Sequence, residues 1–331
     1  RKEYGRPLFL VCSADLAAST NINGFSQGFD GVEGWGCYDR DSNPDGTLLP
    51  QQITEFANAG ICVGLASVNL AEDPHHAFDG FWSACSTYGS FSYLKYGPMR
   101  LFSQLAQDCE LKLGKVIWIA GHSGPETAED SRTHFGIFAP GVTQLFPEGH
   151  VIDLHPWEYN EVPVVLGAAL RQTAPIVALH LTRPAITIPD REALGMASHF
   201  EAARGAYVIR EFKPGSPPMG TVFVQGTSTT NNLVQVLPQL DKAGLNVKIV
   251  AAISPPFREL DPDEDRAMVE RINAARPDVT WVGLGCPKQE RWMAEHVGQV
   301  RGVLVGVGAA FDFHAGAVRQ ALSLIHISEP T

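Results

Sequence analysis

Short apolar, β-branched runs alternate with stretches of helical periodicity along the whole chain, and this alternation restricts the fold more than any other feature. Pro7–Cys12, Lys115–Ala120, His150–Leu154 and Pro175–Leu181 read as buried strands. Pro98–Leu113 and Glu158–Gln172, which lie between them, carry apolar residues at helical spacing. Strands that are apolar on both faces need helices on both faces, so the pattern predicts three-layer α/β domains built on parallel sheets. A second series follows Pro189, with a helix end at Phe200–Gly205 and strands at Ala206–Arg210, Thr221–Gln225 and Asn246–Ala252. Within it, Gly226-Thr227-Ser228-Thr229 is expected to close one strand and cap the next helix. A third series begins after Pro255-Pro256, with helices at Glu264–Ala275 and Gln289–Val297 and strands at Val279–Leu284 and Val303–Val307. The chain shows no internal repeat and no low-complexity linker.

At 331 residues the chain is long enough for two or three domains, each with its own core. No apolar run reaches the length of about eighteen residues that a membrane span requires. A net charge of -11 argues against general nucleic-acid binding, which needs clustered Lys and Arg. It leaves room for phosphate-bearing small substrates, since a few local cations or helix N-termini suffice. Cys12, Cys37, Cys62, Cys85, Cys109 and Cys286 are scattered without a C-x-x-C pair. They read as buried thiols of a cytoplasmic protein rather than as a disulfide framework or zinc site.

Three blocks of the first series carry a family resemblance: Ser13-Ala14-Asp15-Leu16 with Ser19, then Glu55-Phe56, then His122 through Ala128-Glu129-Asp130-Ser131-Arg132-Thr133-His134, with Arg183 at a later strand end. Together they resemble the pyrimidine-binding domain of transketolase over residues 1–188, and residues 189–253 resemble part of that family's C-terminal domain. The resemblance implies thiamine diphosphate as cofactor and two-carbon ketol transfer between sugar phosphates. A carboxylate hydrogen-bonded to the cofactor's aminopyrimidine favours the imino tautomer that removes the C2 proton, and by analogy Glu55 is that carboxylate. The aromatic wall that stacks on the ring would be Tyr88 and Phe91 in Thr87-Tyr88-Gly89-Ser90-Phe91. His122 and His134 are the expected imidazoles of proton transfer, and Asp130 the acceptor for a substrate hydroxyl. Arg183 and Ser19 would hold the substrate phosphate, and Asp15 would lie near the thiazolium.

Transketolases hold the diphosphate through Mg²⁺ with a Gly-Asp-Gly motif, which is not found here; Pro44-Asp45-Gly46 and Phe78-Asp79-Gly80 have another context. Metal and diphosphate are therefore expected from a partner domain or chain in a dimeric arrangement, and the chain alone is expected to be inactive.

The third series has a different likeness. Val282-Gly283-Leu284-Gly285-Cys286-Pro287-Lys288-Gln289-Glu290 and Gly306-Val307-Gly308-Ala309-Ala310-Phe311-Asp312 resemble the end of a WecG/TagA/CpsF-family glycosyltransferase over residues 254–321. The first motif is a strand, a Gly-rich turn and a helix start, which aims backbone N–H groups at an anion. Gly285, Lys288 and Gln289 would serve a nucleotide-sugar, with UDP-sugar transfer to a lipid-linked acceptor as the implied activity. Asp312 and His314 read as structural. Residues 322–331, Leu-Ser-Leu-Ile-His-Ile-Ser-Glu-Pro-Thr, resemble a translated sequencing adapter. Three readings therefore stand: a transketolase fragment, a glycosyltransferase, or an inert chimera of the two.

Overall fold

The computed structural model describes residues 5–50, 52–121, 142–181, 185–224, 226–251, 262–274, 276–277, 279–282 and 288–306. The chain divides into two compact units, Arg1–Ile186 and Thr187–Thr331.

The first unit is built on a five-stranded sheet. Its strands are β1 (Phe9–Ser13), β2 (Trp82–Tyr88), β3 (Val116–Gly121), β4 (Val151–Leu154) and β5 (Ile176–His180). They run in the order β1-β2-β3-β5-β4, with every pairing parallel. Helices α1 (Glu55–Ser67) and α2 (Tyr96–Asp108) join the first three strands, and α3 (Glu161–Leu170) joins β4 to β5. The step from β4 back to β5 reverses the direction of travel across the sheet. Right-handed crossovers then place α3 on the face opposite α1 and α2.

The two cores follow from strand alternation. Cys12, Cys85, Trp118 and Ile176 point to one face and pack with Ala59 and Cys62 of α1 and with Met99 and Phe102 of α2. Val11, Ala84, Ile117 and Leu179 point to the other, against Ile22, Leu48 and the α3 residues Val162, Leu166 and Leu170. Pro98 and Pro163 sit in the first turns of α2 and α3, where a missing N–H leaves no helix bond unmade. A long segment after β1 returns along that strand's outer edge: Val11 N donates to Thr47 O (3.0 Å) and Leu49 N to Val11 O (2.9 Å).

The second unit holds a three-stranded sheet of order β6 (Val208–Arg210), β8 (Val247–Ala251), β7 (Gly220–Val224), with β6 antiparallel to β8 and β7 parallel to it. It also holds a parallel pair of β9 (Val279–Val282) and β10 (Val303–Gly306). Its helices are α4 (Thr227–Lys242), α5 (Pro262–Ala274) and α6 (Lys288–Glu295). The expected side-chain cap of α4 is not formed. Gly226 occupies the N-cap with a positive φ of 79° and offers no side chain, so Thr227 becomes the first helical residue.

Asn246 holds the 213–219 loop, accepting from Lys213 N (2.8 Å) and donating to Ser216 O (2.9 Å). Asp265 of α5 meets the end of α6: His296 Nε2, just past that helix, lies 2.7 Å from Asp265 Oδ2, and the Trp292 indole donates to Asp265 Oδ1 at 3.3 Å. No helix among the described residues is long and apolar enough to cross a membrane.

Candidate functional site

Ligands of parallel α/β sheets bind at the C-terminal ends of the strands, and the first unit gathers its polar residues there. Glu55 opens α1, where the helix dipole favours a carboxylate. Thr87, next to last in β2, donates from Oγ1 to Glu55 Oε1 at 2.9 Å. That bond occupies one carboxylate oxygen and fixes the plane of the acid.

Tyr88 ends β2, and the turn of 3₁₀ helix Gly89–Lys95 then brings Phe91 back beside it, with ring centroids 6.3 Å apart and planes tilted by 59°. Asp15 lies just beyond β1, its Oδ1 accepting from Leu16 N at 2.7 Å. Ser19 belongs to the turn that Thr20 N closes on Leu16 O (3.1 Å). Asp15, Ser19, Glu55, Tyr88 and Phe91 therefore sit at the C-terminal ends of two neighbouring strands. His122, Asp130, His134 and Arg183 lie outside the described residues, as do Gly285, Asp312 and His314. Lys288 and Gln289 open α6 in the second unit.

Two features beneath this site are absent from the sequence reading. Ser13, Thr20 and Ser86 form a buried hydroxyl cluster: Ser86 donates to Thr20 Oγ1 at 2.7 Å, and Ser13 and Thr20 are also 2.7 Å apart. It joins the ends of β1 and β2 to the Asp15–Ser19 turn.

The second is Lys95, which is wholly buried and donates to Cys85 O (2.9 Å) and Ile119 O (3.2 Å). Burial pushes its amine below the ordinary lysine value, against the pull of the Cys85 and Cys62 thiols and Glu55. The Cys85 thiol is drawn down to about 7, first by the hydrogen bond from Cys62 and then, against burial, by the Lys95 ammonium. Lys95 thus pins the Tyr88–Phe91 turn to the centre of the sheet. A lysine in a mixed-polarity run such as Ser92-Tyr93-Leu94-Lys95 ordinarily reads as surface, which is why it carries no signal in sequence.

The cysteines divide. Cys12, Cys62 and Cys85 are buried as expected, whereas Cys37 is exposed, because it lies in the edge segment rather than under a helix. All five described cysteines are free thiols.

The arrangement is a half-exposed acid at a helix start, braced by a threonine, with two aromatic rings at the end of the adjoining strand. Such a group can accept a hydrogen bond from a ligand N–H lying beside an aromatic surface.

Comparison with known proteins gives two separate likenesses. Residues 216–325 match the model of the glycosyl transferase WecG/TagA/CpsF family. Within curated proteins, an N-acetylglucosaminyldiphosphoundecaprenol N-acetyl-beta-D-mannosaminyltransferase of Staphylococcus aureus (strain NCTC 8325 / PS 47) is 42% identical over 59 residues, which is 18% of this chain and 23% of that protein. The chain thus spans less than a quarter of that relative's length.

Solved structures resemble it in fold. A transketolase from Pichia stipitis, in complex with sedoheptulose 7-phosphate, superposes with a TM-score of 0.57 at 18% identity, over 86% of this chain and 37% of that one. A split-gene transketolase described as an inactive β4 tetramer has a TM-score of 0.51 at 19% identity, over 92% of this chain and 83% of that one. In fold the chain is transketolase-like, and over residues 216–325 its sequence matches the WecG/TagA/CpsF glycosyltransferase family.

Proposed function

We propose that the first unit is the pyrimidine-binding part of a thiamine-diphosphate-dependent transketolase, acting in two-carbon ketol transfer only when a diphosphate-binding chain or domain completes the site. The Thr87–Glu55 bond beside Tyr88 and Phe91, at the C-terminal end of a parallel sheet, carries the reading. Thiamine diphosphate, when bound, supplies the carbanion that attacks a ketose carbonyl. Glu55 accepts the hydrogen bond of the aminopyrimidine nitrogen through the carboxylate that Thr87 holds in place. Tyr88 and Phe91 exclude water from the ring face. His122, His134, Asp130, Ser19 and Arg183 keep the sugar-phosphate roles assigned from their motif, with Asp15 toward the thiazolium. The likeness to a split-gene transketolase supports the need for a partner chain.

Ketol transfer is expected from the chain co-assembled with a Mg²⁺–diphosphate subunit, and not from the chain alone. In that assembly Glu55→Gln cuts turnover by about two to four orders of magnitude, the usual contribution of a positioned acid–base group, with an unchanged melting curve. Full turnover in the Glu55→Gln assembly would refute the assignment.

A second reading applies to the other unit and rests on the family match. We infer that β7, α4 and β8 belong with the glycosyltransferase-like sequence, since the match begins at residue 216, well ahead of Ser254. That makes the transketolase-like C-terminal part shorter than residues 189–253. Lys288 and Gln289, the first residues of α6, would then keep the UDP-sugar role implied by their motif. Calorimetric titration with UDP checks this: Lys288→Ala weakens binding if the site is intact, and absence of UDP binding removes the reading.

A further inference from the structure

The C-terminal ends of β4 and β5 carry a second group of side chains that neither functional reading uses. Asp153 and His155 are two residues apart, so they project from the same face of β4 and its extension. His180 is the last residue of β5, and Asp153 pairs in register with Ala178, which sets His180 level with His155 on that same face. His180 Nε2 lies 2.7 Å from Asp153 Oδ1, and His155 Nε2 lies 3.4 Å from the same oxygen. The candidate ligand atoms of all three residues fall within 4.8 Å of one another. Thr143 donates from Oγ1 to the other carboxylate oxygen, Asp153 Oδ2, at 2.6 Å. It turns Oδ1 toward the imidazoles.

We propose that Asp153, His155 and His180 form a binding site for a divalent first-row transition metal of the zinc and cobalt class. Two imidazoles and one carboxylate make an N₂O donor set, which suits those ions and not Ca²⁺ or Mg²⁺, whose sites are all oxygen. The carboxylate held from behind by a hydroxyl has the outer-shell partner that metal-ligating groups commonly carry.

Burial is graded in the way a loadable site requires. The His180 side chain is 4% exposed, that of His155 17% and that of Asp153 26%. One ligand is thus anchored in the core and the others reach solvent. The imidazoles stack with centroids 4.1 Å apart and planes 5° from parallel. Coordination at about 2.0–2.1 Å needs both ring planes to converge on the ion, so binding opens that stack by rotating His155, the more exposed ring. The site owes nothing to the transketolase reading, because none of its residues belongs to the cofactor or sugar-phosphate motifs.

The test uses the full chain, stripped with a chelator and titrated with Co²⁺ while visible d–d absorption and bound metal after gel filtration are recorded. The expected result is one tightly held equivalent with tetrahedral-type bands. His155→Ala and Asp153→Asn should abolish the bands. Thr143→Val, a positioning change, should weaken binding about 10- to 100-fold while leaving stoichiometry intact. His76→Ala, which alters the exposed His76–Asp73 pair, should change nothing. Should His155→Ala unfold, His155→Gln takes its place, with circular dichroism checking the fold. Undiminished cobalt in the folded His155 variant, no cobalt in the wild type, or an equal loss in His76→Ala would each overturn the site.

Discussion

Lys95 braces the turn that carries Tyr88 and Phe91 from a position that no motif marks. Its ammonium replaces solvent with two backbone carbonyls on adjacent strands, and an isolated buried charge is costly unless it is so paired. Lys95→Met keeps the volume and removes the cation, leaving Cys85 O and Ile119 O without that donor. The expected cost is about 1.5–3 kcal/mol from lost hydrogen bonds to a charged group, read as a lower urea midpoint. The same change releases the Tyr88–Phe91 turn, so cofactor affinity of the assembled enzyme should fall along with stability. Glu55 stands out in sequence through the Glu55-Phe56 block, whereas Lys95 does not, because its partners are carbonyls brought close only by β2 and β3. Asp153, His155 and His180 were hidden for a similar reason: the third member is 25 residues distant in sequence and meets the others only through strand register.

At the level of elements, four strands of the first sheet and its α2 and α3 helices were legible from apolar runs and helical spacing. The strand beside its edge was not. β2 reads Trp-Ser-Ala-Cys-Ser-Thr-Tyr, too polar and too small to resemble a buried strand. It succeeds because each hydroxyl finds a partner: Ser83 donates to Cys62 O at 2.8 Å, Ser86 to Thr20, and Thr87 to Glu55. Small side chains let α1 approach this strand closely.

In the second unit, Asp241 of α4 ties two segments together, accepting from Arg210 Nη2 at 2.8 Å and lying 2.6 Å from Lys213 Nζ. Burial raises its carboxyl, but the hydrogen bonds from Lys213 and Arg210 outweigh that and hold it below the ordinary aspartate value. A depressed carboxyl binds fewer protons folded than unfolded, so its stabilisation is full above the unfolded value near about 3.9 and is lost as pH falls through the folded one. Acid titration followed by the near-ultraviolet signal of the second unit should show this loss below about pH 4. Asp241→Asn should flatten that limb.

For the whole molecule, the division at Ile186 and Thr187 means that the transketolase-like sheet carries its own two cores. Residues 1–186 expressed alone should melt cooperatively, within a few degrees of the first transition of the full chain. A non-cooperative melt would show that the first unit depends on the second. The border between the two family likenesses was the least legible feature. The family match begins at residue 216, inside the alternating strands and helices of the second unit, where no break in pattern marks it.

The segment that returns along β1 has a consequence for solubility. A strand at the rim of a parallel sheet offers a row of open N–H and C=O groups, a template on which another chain can add. Here Thr47 and Leu49 take up the bonds of Val11, and Leu48 is buried against the sheet, so the template is already used. Shortening residues 36–46 would keep Leu48 in the core but loosen the segment that covers the rim. Such a shortened chain would be lost to ordered self-addition at high concentration, long before unfolding became its problem.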